Sequence, residues 1–241
     1  MMGYPKINSL WKREGWYFDQ DKKQSPDYQK GRQSFIVGDY SCPEFSNIKT
    51  WNVTEKIDGT NIRIYYYWMP PCNMEIDRYP PRYYSSVSFH GRTDKAVIPK
   101  FLAEYLTKKI TIETLESAFE PDILACTTFI LYGEGYGPKI QAVGSKYRDD
   151  VGFILFDVRV GDFWLKRDAV KDIAVKLDIP VVPDLGIMNE CEIVEYVKSK
   201  PMSLCSKTPQ VMEGIVARSS PELYCRDGSQ VMFKLKCKEF V

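Results

Sequence analysis

The sequence predicts an α+β fold, with antiparallel sheets flanked by helices. Three observations carry this expectation. Strand-like runs outnumber helical ones, they do not alternate with helices as βαβ units do, and the clearest of them alternates side chains in strand fashion over eight residues. With 241 residues, 44% of them apolar and 14% aromatic, the chain can bury a core as one domain of above-average size. The expected domain is 1–241, with 1–33 an irregular N-terminal segment.

The first 33 residues are polar and aromatic without clear periodicity, so they read as a loop-rich stretch packing Trp11 and Trp16 against the body. Residues 51–56 form a short strand. Residues 61–68 alternate more cleanly, placing Ile62, Ile64, Tyr66 and Trp68 on one face and Arg63, Tyr65 and Tyr67 on the other. Asp58-Gly59 between the two runs predicts a hairpin-like bend. Pro70-Pro71 and Pro80-Pro81 forbid regular pairing, which makes 69–83 an exposed loop. A strand follows at 85–92, then amphipathic helices at 99–109 and 111–119, then buried strands at 127–132 and 152–160. A helix is expected at 167–177. Another starts at Asn189, where Asn189 and Glu192 have capping-box spacing. The last strands are 214–218 and 230–236.

Composition narrows the chemistry. The 33 basic and 32 acidic residues nearly cancel, so any grip on a polyanion must come from local clustering. The seven cysteines show no C-x-x-C spacing and His90 is the only histidine. That speaks against a compact zinc cluster and leaves a Ser-His-Asp mechanism resting on one imidazole. Free thiols in a reducing compartment are expected. The N-terminus Met1-Met2-Gly3-Tyr4-Pro5-Lys6 has no apolar leader, and no 18 apolar residues run together. The expectation is a soluble intracellular protein without a membrane partner, and a monomer.

The segment Thr54-Glu55-Lys56-Ile57-Asp58-Gly59-Thr60-Asn61 gathers a lysine, carboxylates and a glycine bend. Lysine is a poor nucleophile at its ordinary pKa of about 10.4, and becomes a good one where desolvation or a nearby cation exposes the amine lone pair. Asp58 makes chemical sense beside it as a ligand to a metal ion or its waters, and Gly59 lets backbone approach a phosphate. Alone, the motif equally describes a solvated surface turn. Others follow in order: Gly91-Arg92 at a strand end, Tyr132-Gly133-Glu134, Phe156-Asp157, Glu213-Gly214-Ile215-Val216 and Lys234-Leu235-Lys236. Each has a bland reading too: core packing for Phe156, a solvated strand end for Glu213, an edge-strand face for the two lysines.

Taken together and in this order, the six motifs resemble those of the covalent nucleotidyltransferase superfamily of DNA ligases, RNA ligases and mRNA capping enzymes. The resemblance spans residues 54–236 and implies an ATP-grasp-like nucleotidyltransferase fold. It further implies ATP as cosubstrate, Mg²⁺ or Mn²⁺ as metal, and Lys56 as the residue that takes AMP covalently. Within it, Asp58 and Glu213 would hold the metal, Glu55 would read the adenine edge, Glu134 the ribose and Phe156 the base face. Lys234 and Lys236, which share a strand face, would hold the α-phosphate and act on Lys56 as neighbouring cations. Asn61 and Arg92 would serve nucleotide binding and the later steps.

Gly59-Thr60-Asn61 is similar to the RNA ligase family that includes the second phage RNA ligase and the RNA-editing ligases, where DNA ligases usually carry arginine at the third position. That family often has histidine where this chain has Asp58. The stretch from Tyr132 to Gln141 is similar as well, and supplies Lys139, with Lys146 and Arg148 beyond it, as candidate phosphate contacts. The implied substrate is RNA with 5′-phosphate and 3′-OH ends, and a virus- or phage-encoded source fits the resemblance. Rival readings are a DNA ligase, a capping guanylyltransferase or a non-enzymatic RNA-binding module. Because five residues follow Lys236, no C-terminal accessory domain is expected.

Overall fold

The computed structural model describes residues 3–13, 35–69, 84–119 and 128–240. The first strands are β1 (Asn8–Ser9), β2 (Trp11–Arg13), β3 (Phe35–Tyr40), β4 (Trp51–Lys56), β5 (Thr60–Met69) and β6 (Tyr84–Gly91). Helices α1 (Lys100–Lys109) and α2 (Ile112–Ala118) lead to β7 (Phe129–Tyr136), the short α3 (Gly144–Tyr147), β8 (Gly152–Val160) and β9 (Phe163–Trp164). Then come α4 (Arg167–Lys176), β10 (Asp184–Met188), α5 (Glu190–Lys198), β11 (Gly214–Ser219) and β12 (Met232–Lys236). They build two compact units. A terminal unit comprises Pro5–Ile57, Pro183–Leu204 and Pro209–Val241, and a central unit comprises Asp58–Val182 with Cys205–Thr208 and the stretch up to Tyr4.

The central unit is a five-stranded antiparallel sheet in the order β6-β5-β7-β8-β9. The alternation of β5 sorts its side chains as the sequence predicts. Ile62, Ile64 and Tyr66 are fully buried in a core shared with Leu102 and Leu106 of α1, Leu115 of α2 and Val170 and Ile173 of α4. Tyr65 and Tyr67 face the other way, with Tyr132 and Phe156. Arg63 is fully buried there as well, and its charge is met by Asp94 at 2.9 Å, the Gly91 carbonyl at 2.7 Å and the Tyr65 hydroxyl at 3.1 Å.

The terminal unit carries the sheet β1-β12-β11-β4-β10 and the ribbon β2-β3. Its core sets Trp51, Val53, Ile215, Phe233 and Leu235 from the sheet against Ile193 and Val197 of α5. Trp51 meets Phe233 edge-on at 4.7 Å, a favoured aromatic geometry. Helix α5 opens with the capping box read from the sequence: Asn189 Oδ1 accepts from the Glu192 N–H and Glu192 Oε2 from the Asn189 N–H.

Several expectations are corrected. Asp58-Gly59 does not close a hairpin, because β4 pairs with β10 and β11 whereas β5 pairs with β6 and β7. Turn chemistry marks a bend but not the partner of the strand leaving it. The run expected at 127–132 continues through Gly133-Glu134-Gly135 to Tyr136, and the β10 strand had no sequence counterpart. Asn8–Ser9 and Trp11–Arg13 are strands rather than loop, and β1 pairs parallel to β12 where the other paired strands are antiparallel. Trp11 packs into the core as expected. Trp16, Thr127 and residues 70–83 of the expected loop lie outside the described residues. Among the described residues no helix is long and apolar enough to cross a membrane.

Candidate active site

In the terminal unit, β11 lies between β4 and β12, with Gly214 opposite Lys56 on one side and Lys236 on the other. Glu213, one residue before that glycine, joins the two lysines. Its Oε2 accepts from Lys56 Nζ at 2.5 Å and its Oε1 from Lys236 Nζ at 2.7 Å. The side chain of Glu213 is 11% exposed and those of Lys56 and Lys236 are 22% and 24% exposed. These are charge-assisted bonds in partial shelter from water, stronger than surface pairs. The trio carries one net positive charge, which suits a phosphate.

Gly214 is required here. Its φ is +157°, and a Cβ would lie 2.1 Å from the Leu235 carbonyl oxygen and 2.7 Å from Lys236 Cα. Both are backbone atoms and cannot swing aside.

The expected cation beside Lys56 is therefore Lys236, acting across a shared carboxylate. Lys234 stands on the same strand face but opposite Val216 and Ser9, and lines a cavity with Lys6, Lys12 and Arg13. Glu55 points to the other side of β4 and is 1% exposed. Its Oε1 accepts from the Ser203 hydroxyl and its Oε2 from the Leu204 N–H at 2.8 Å. Any role at an adenine edge starts from a carboxylate already fastened to this loop.

The central unit holds the remaining motif residues. Asp58 and Gly59 are fixed by their backbone: Asp58 N–H donates to the Tyr147 hydroxyl at 3.3 Å, and Gln141 Nε2 donates to the Gly59 carbonyl at 2.8 Å. A Cβ on Gly59 would lie 2.3 Å from the Gly135 carbonyl oxygen and 2.7 Å from Glu134 Cγ, so the glycine lets the motif sit directly against Glu134. Asn61 is opposite Glu134 in the β5–β7 register. Its Oδ1 is buried without a hydrogen-bond partner among the described residues.

The β7–β8 register slips after Tyr132↔Asp157, so that Gly133 faces Leu155 and Phe156 is the extra residue. That bulge lets Leu155 and Val158 both reach the core while Phe156 turns to the opposite face. There it is half-buried, with Tyr4 edge-on at 4.9 Å, and Tyr4 donates to Asp157 Oδ2. Burial pushes the Tyr132 hydroxyl strongly above the ordinary tyrosine range. Arg92, just past β6, is exposed. Lys139 and Lys146 are exposed too, whereas Arg148 is tied to Asp150 at 2.7 Å.

The structure thus brings together Lys56, Glu213 and Lys236 in one unit and Gly59, Asn61 and Glu134 in the other, with Asp58 next to that glycine in the chain. It does not place Lys234 with Lys236 on one carboxylate. The sequence reading missed Ser203, Leu204 and Tyr147, which no motif marks, and Gln141 as an anchor of Gly59. Among the described residues no three His, Cys, Asp or Glu side chains are gathered into a ready metal cage.

The RNA ligase family model matches residues 49–236, a span that holds every motif from Glu55 to Lys236. The chain belongs to the RNA ligase family. Its fold is similar to solved structures of Naegleria gruberi RNA ligase. A mutant with ATP and Mn gives a TM-score of 0.52 at 18% identity, covering 80% of this chain and 51% of that one. The ligase with PPi gives 0.53 at 18% identity, covering 88% and 61%. A mutant with AMP and Mn gives 0.51 at 18% identity, covering 80% and 52%. At this identity the likeness shows the fold, and it bears out the expected α+β architecture. The chain spans between 51% and 61% of the length of these chains. No curated protein matches it.

Proposed function

We propose that the chain is an ATP-dependent RNA ligase that joins RNA 3′-OH and 5′-phosphate ends through a lysyl-AMP intermediate on Lys56. The observation that carries this reading is the Lys56–Glu213–Lys236 trio, set at paired strand ends inside the family match.

In the first step neutral Lys56 Nζ attacks the α-phosphorus of ATP. The N–P bond forms, the bond from that phosphorus to the bridging oxygen breaks, pyrophosphate leaves, and the nitrogen releases a proton. Lys56 starts as an ammonium paired with Glu213, so it first gives up one proton, for which the Glu213 carboxylate is the acceptor at hand, while an arriving α-phosphate draws the Lys236 ammonium to the phosphoryl oxygens. A 5′-phosphate oxygen of RNA then attacks the same phosphorus, the P–N bond breaks, and Lys56 regains its protons. Last, the RNA 3′-hydroxyl displaces AMP, losing its proton as the strand is sealed. Asn61 and Arg92 are assigned to these later steps.

Glu213 and Asp58 offer carboxylate oxygens, the hard donors that Mg²⁺ or Mn²⁺ takes, and Glu213 already turns both oxygens toward cations. Such an ion, where bound, supplies neutralisation of phosphate charge. Glu134 serves the ribose and Phe156 the base face. The structures with ATP and Mn are of a protein sharing this fold, and they support ATP with a divalent ion here.

Incubation with α-labelled ATP and Mg²⁺ tests the proposal. A labelled, acid-labile protein adduct is expected from wild type and none from Lys56→Ala. Equal labelling of the two, or none in wild type, sinks it. Labelling by GTP alone would identify a capping-type enzyme, and sealing of nicked DNA in preference to nicked RNA would identify a DNA ligase.

A further inference from the structure

Strand alternation puts Arg63 on the same face of β5 as Asn61, and Arg63 is fully buried. A guanidinium taken out of water stabilises a fold only weakly even when paired, because desolvation offsets the attraction. What such a group adds is geometry, since its rigid planar fork fixes the partners it holds. Here the partners flank one residue. Arg63 Nε donates to the Gly91 carbonyl oxygen at 2.7 Å, and Nη2 donates to Asp94 Oδ1 at 2.9 Å. Between them stands Arg92, exposed where the chain leaves β6. Nη1 donates to the Tyr65 hydroxyl at 3.1 Å and so anchors the fork itself. The turn is closed from its far side as well. Ala96 N–H donates to the Thr93 carbonyl at 3.0 Å, and a Cβ on Gly91 would lie 2.8 Å from Ala96 Cβ.

We propose that Arg63 and Asp94 are positioning residues for Arg92, clasping the backbone on either side of it so that its guanidinium meets the 5′-phosphate of RNA when AMP is transferred. The inference rests on the proposed ligase reading, in which Arg92 serves the later steps, and deepens it. Two effects follow from one ion pair. The first is order: an exposed arginine on a loose turn loses much freedom on gripping a phosphate, and a turn tied at Gly91 and Asp94 has part of that loss already made. The second is charge. A lone carboxylate two residues from Arg92 would repel an arriving phosphate, but Asp94 is neutralised by Arg63, so Arg92 and the exposed Lys95 set the sign of the turn. Asp94 is itself more than half exposed, 53% against 1% for Arg63. The pair therefore joins a buried anchor to a surface turn, which is a way to place the turn rather than to fill the core.

The variants are Asp94→Asn, Asp94→Glu, Arg92→Ala and the double variant Arg92→Ala/Asp94→Asn, all in the full chain. Asp94→Asn is expected to charge with α-labelled ATP as wild type does, and to pass AMP to a 5′-phosphorylated RNA strand about tenfold more slowly, the loss typical of one charge-assisted contact. Asp94→Glu keeps the carboxylate and should recover most of that rate. In the Arg92→Ala background Asp94→Asn should cost nothing more, because residues that act through one another are not additive. A further tenfold loss there shows that Asp94 does not act through Arg92 and overturns the proposal. So does a loss of charging equal to the loss of transfer, which marks a merely structural role, or a transfer rate that does not change. Binding keeps this test apart from the lysyl-AMP reading. Should wild type form no adduct, the affinity for a 5′-phosphorylated oligoribonucleotide is compared with that for the same strand ending in a 5′-hydroxyl. A preference for the phosphate in wild type that is lost in both Arg92→Ala and Asp94→Asn supports the clasp. No preference in wild type, or one that Asp94→Asn retains in full, refutes it.

Discussion

In the terminal unit the residues expected to meet the reacting phosphate are joined by ion pairs, whereas in the central unit those expected to meet the nucleoside are held by backbone approach and ring packing. Lys56, Glu213 and Lys236 form a chain of charge–charge bonds at 2.5 and 2.7 Å. Gly59 lies against Glu134 because it lacks a Cβ, and Phe156 is turned to its face by a bulge. On the proposed reaction, the first unit meets charge that changes during the steps, and the second meets a shape that does not. Changes of charge at constant volume should therefore harm the first most, and changes of volume the second.

The largest expected effect is at Glu213. Glu213→Gln keeps the volume but removes the anion that orders both lysines, and charging with α-labelled ATP should fall by about two to three orders of magnitude, the cost typical of losing one preorganised electrostatic group. Thermal unfolding should move far less. A variant that charges normally would break the comparison at its strongest point.

Gly59→Ala makes the complementary change, adding volume without charge. With a Cβ 2.3 Å from the Gly135 carbonyl oxygen, the bend must shift, at a cost of about 1–3 kcal/mol. Denaturant unfolding should register that loss, and charging should drop with it. Normal stability and charging together would show that the close approach to Glu134 does not matter.

Phe156→Ala should come next. Loss of one stacking face is expected to weaken ATP by about tenfold in half-saturation, in line with roughly 1–3 kcal/mol per stacked base, with a smaller effect on maximal charging. Phe156→Tyr should behave like wild type. Asn189→Ala is the smallest, removing the cap of α5 at about 1 kcal/mol. It should lower the melting temperature by a few degrees and leave charging intact.

What was legible in the sequence follows from how local the signal was. Ile62, Ile64 and Tyr66 showed their face because strand alternation needs only neighbouring residues, and Asn189 with Glu192 showed the start of α5 because a capping box spans four. The ordered motifs located Lys56, Glu213 and Lys236. Their sharing of one carboxylate was not legible, since it depends on β11 lying between β4 and β12, strands distant in the chain. The same holds for Glu55, whose fastening by Ser203 and Leu204 spans 148 and 149 positions. Asp58-Gly59 misled because a bend between two strands is compatible either with a hairpin or with passage to another sheet. The basic cavity at Lys234 was hidden for a related reason: β1 and β2 are too short to show periodicity.

The proposed reaction stands or falls on Lys56 as the nucleophile whose nitrogen lone pair attacks phosphorus. Peptide mapping by mass spectrometry of the full chain after incubation with ATP and Mg²⁺ locates the adduct. AMP on the peptide bearing Lys56, lost on acid treatment and absent from Lys56→Ala, is the predicted result. AMP on Lys234, Lys236 or any other residue, or no AMP at all, would contradict it.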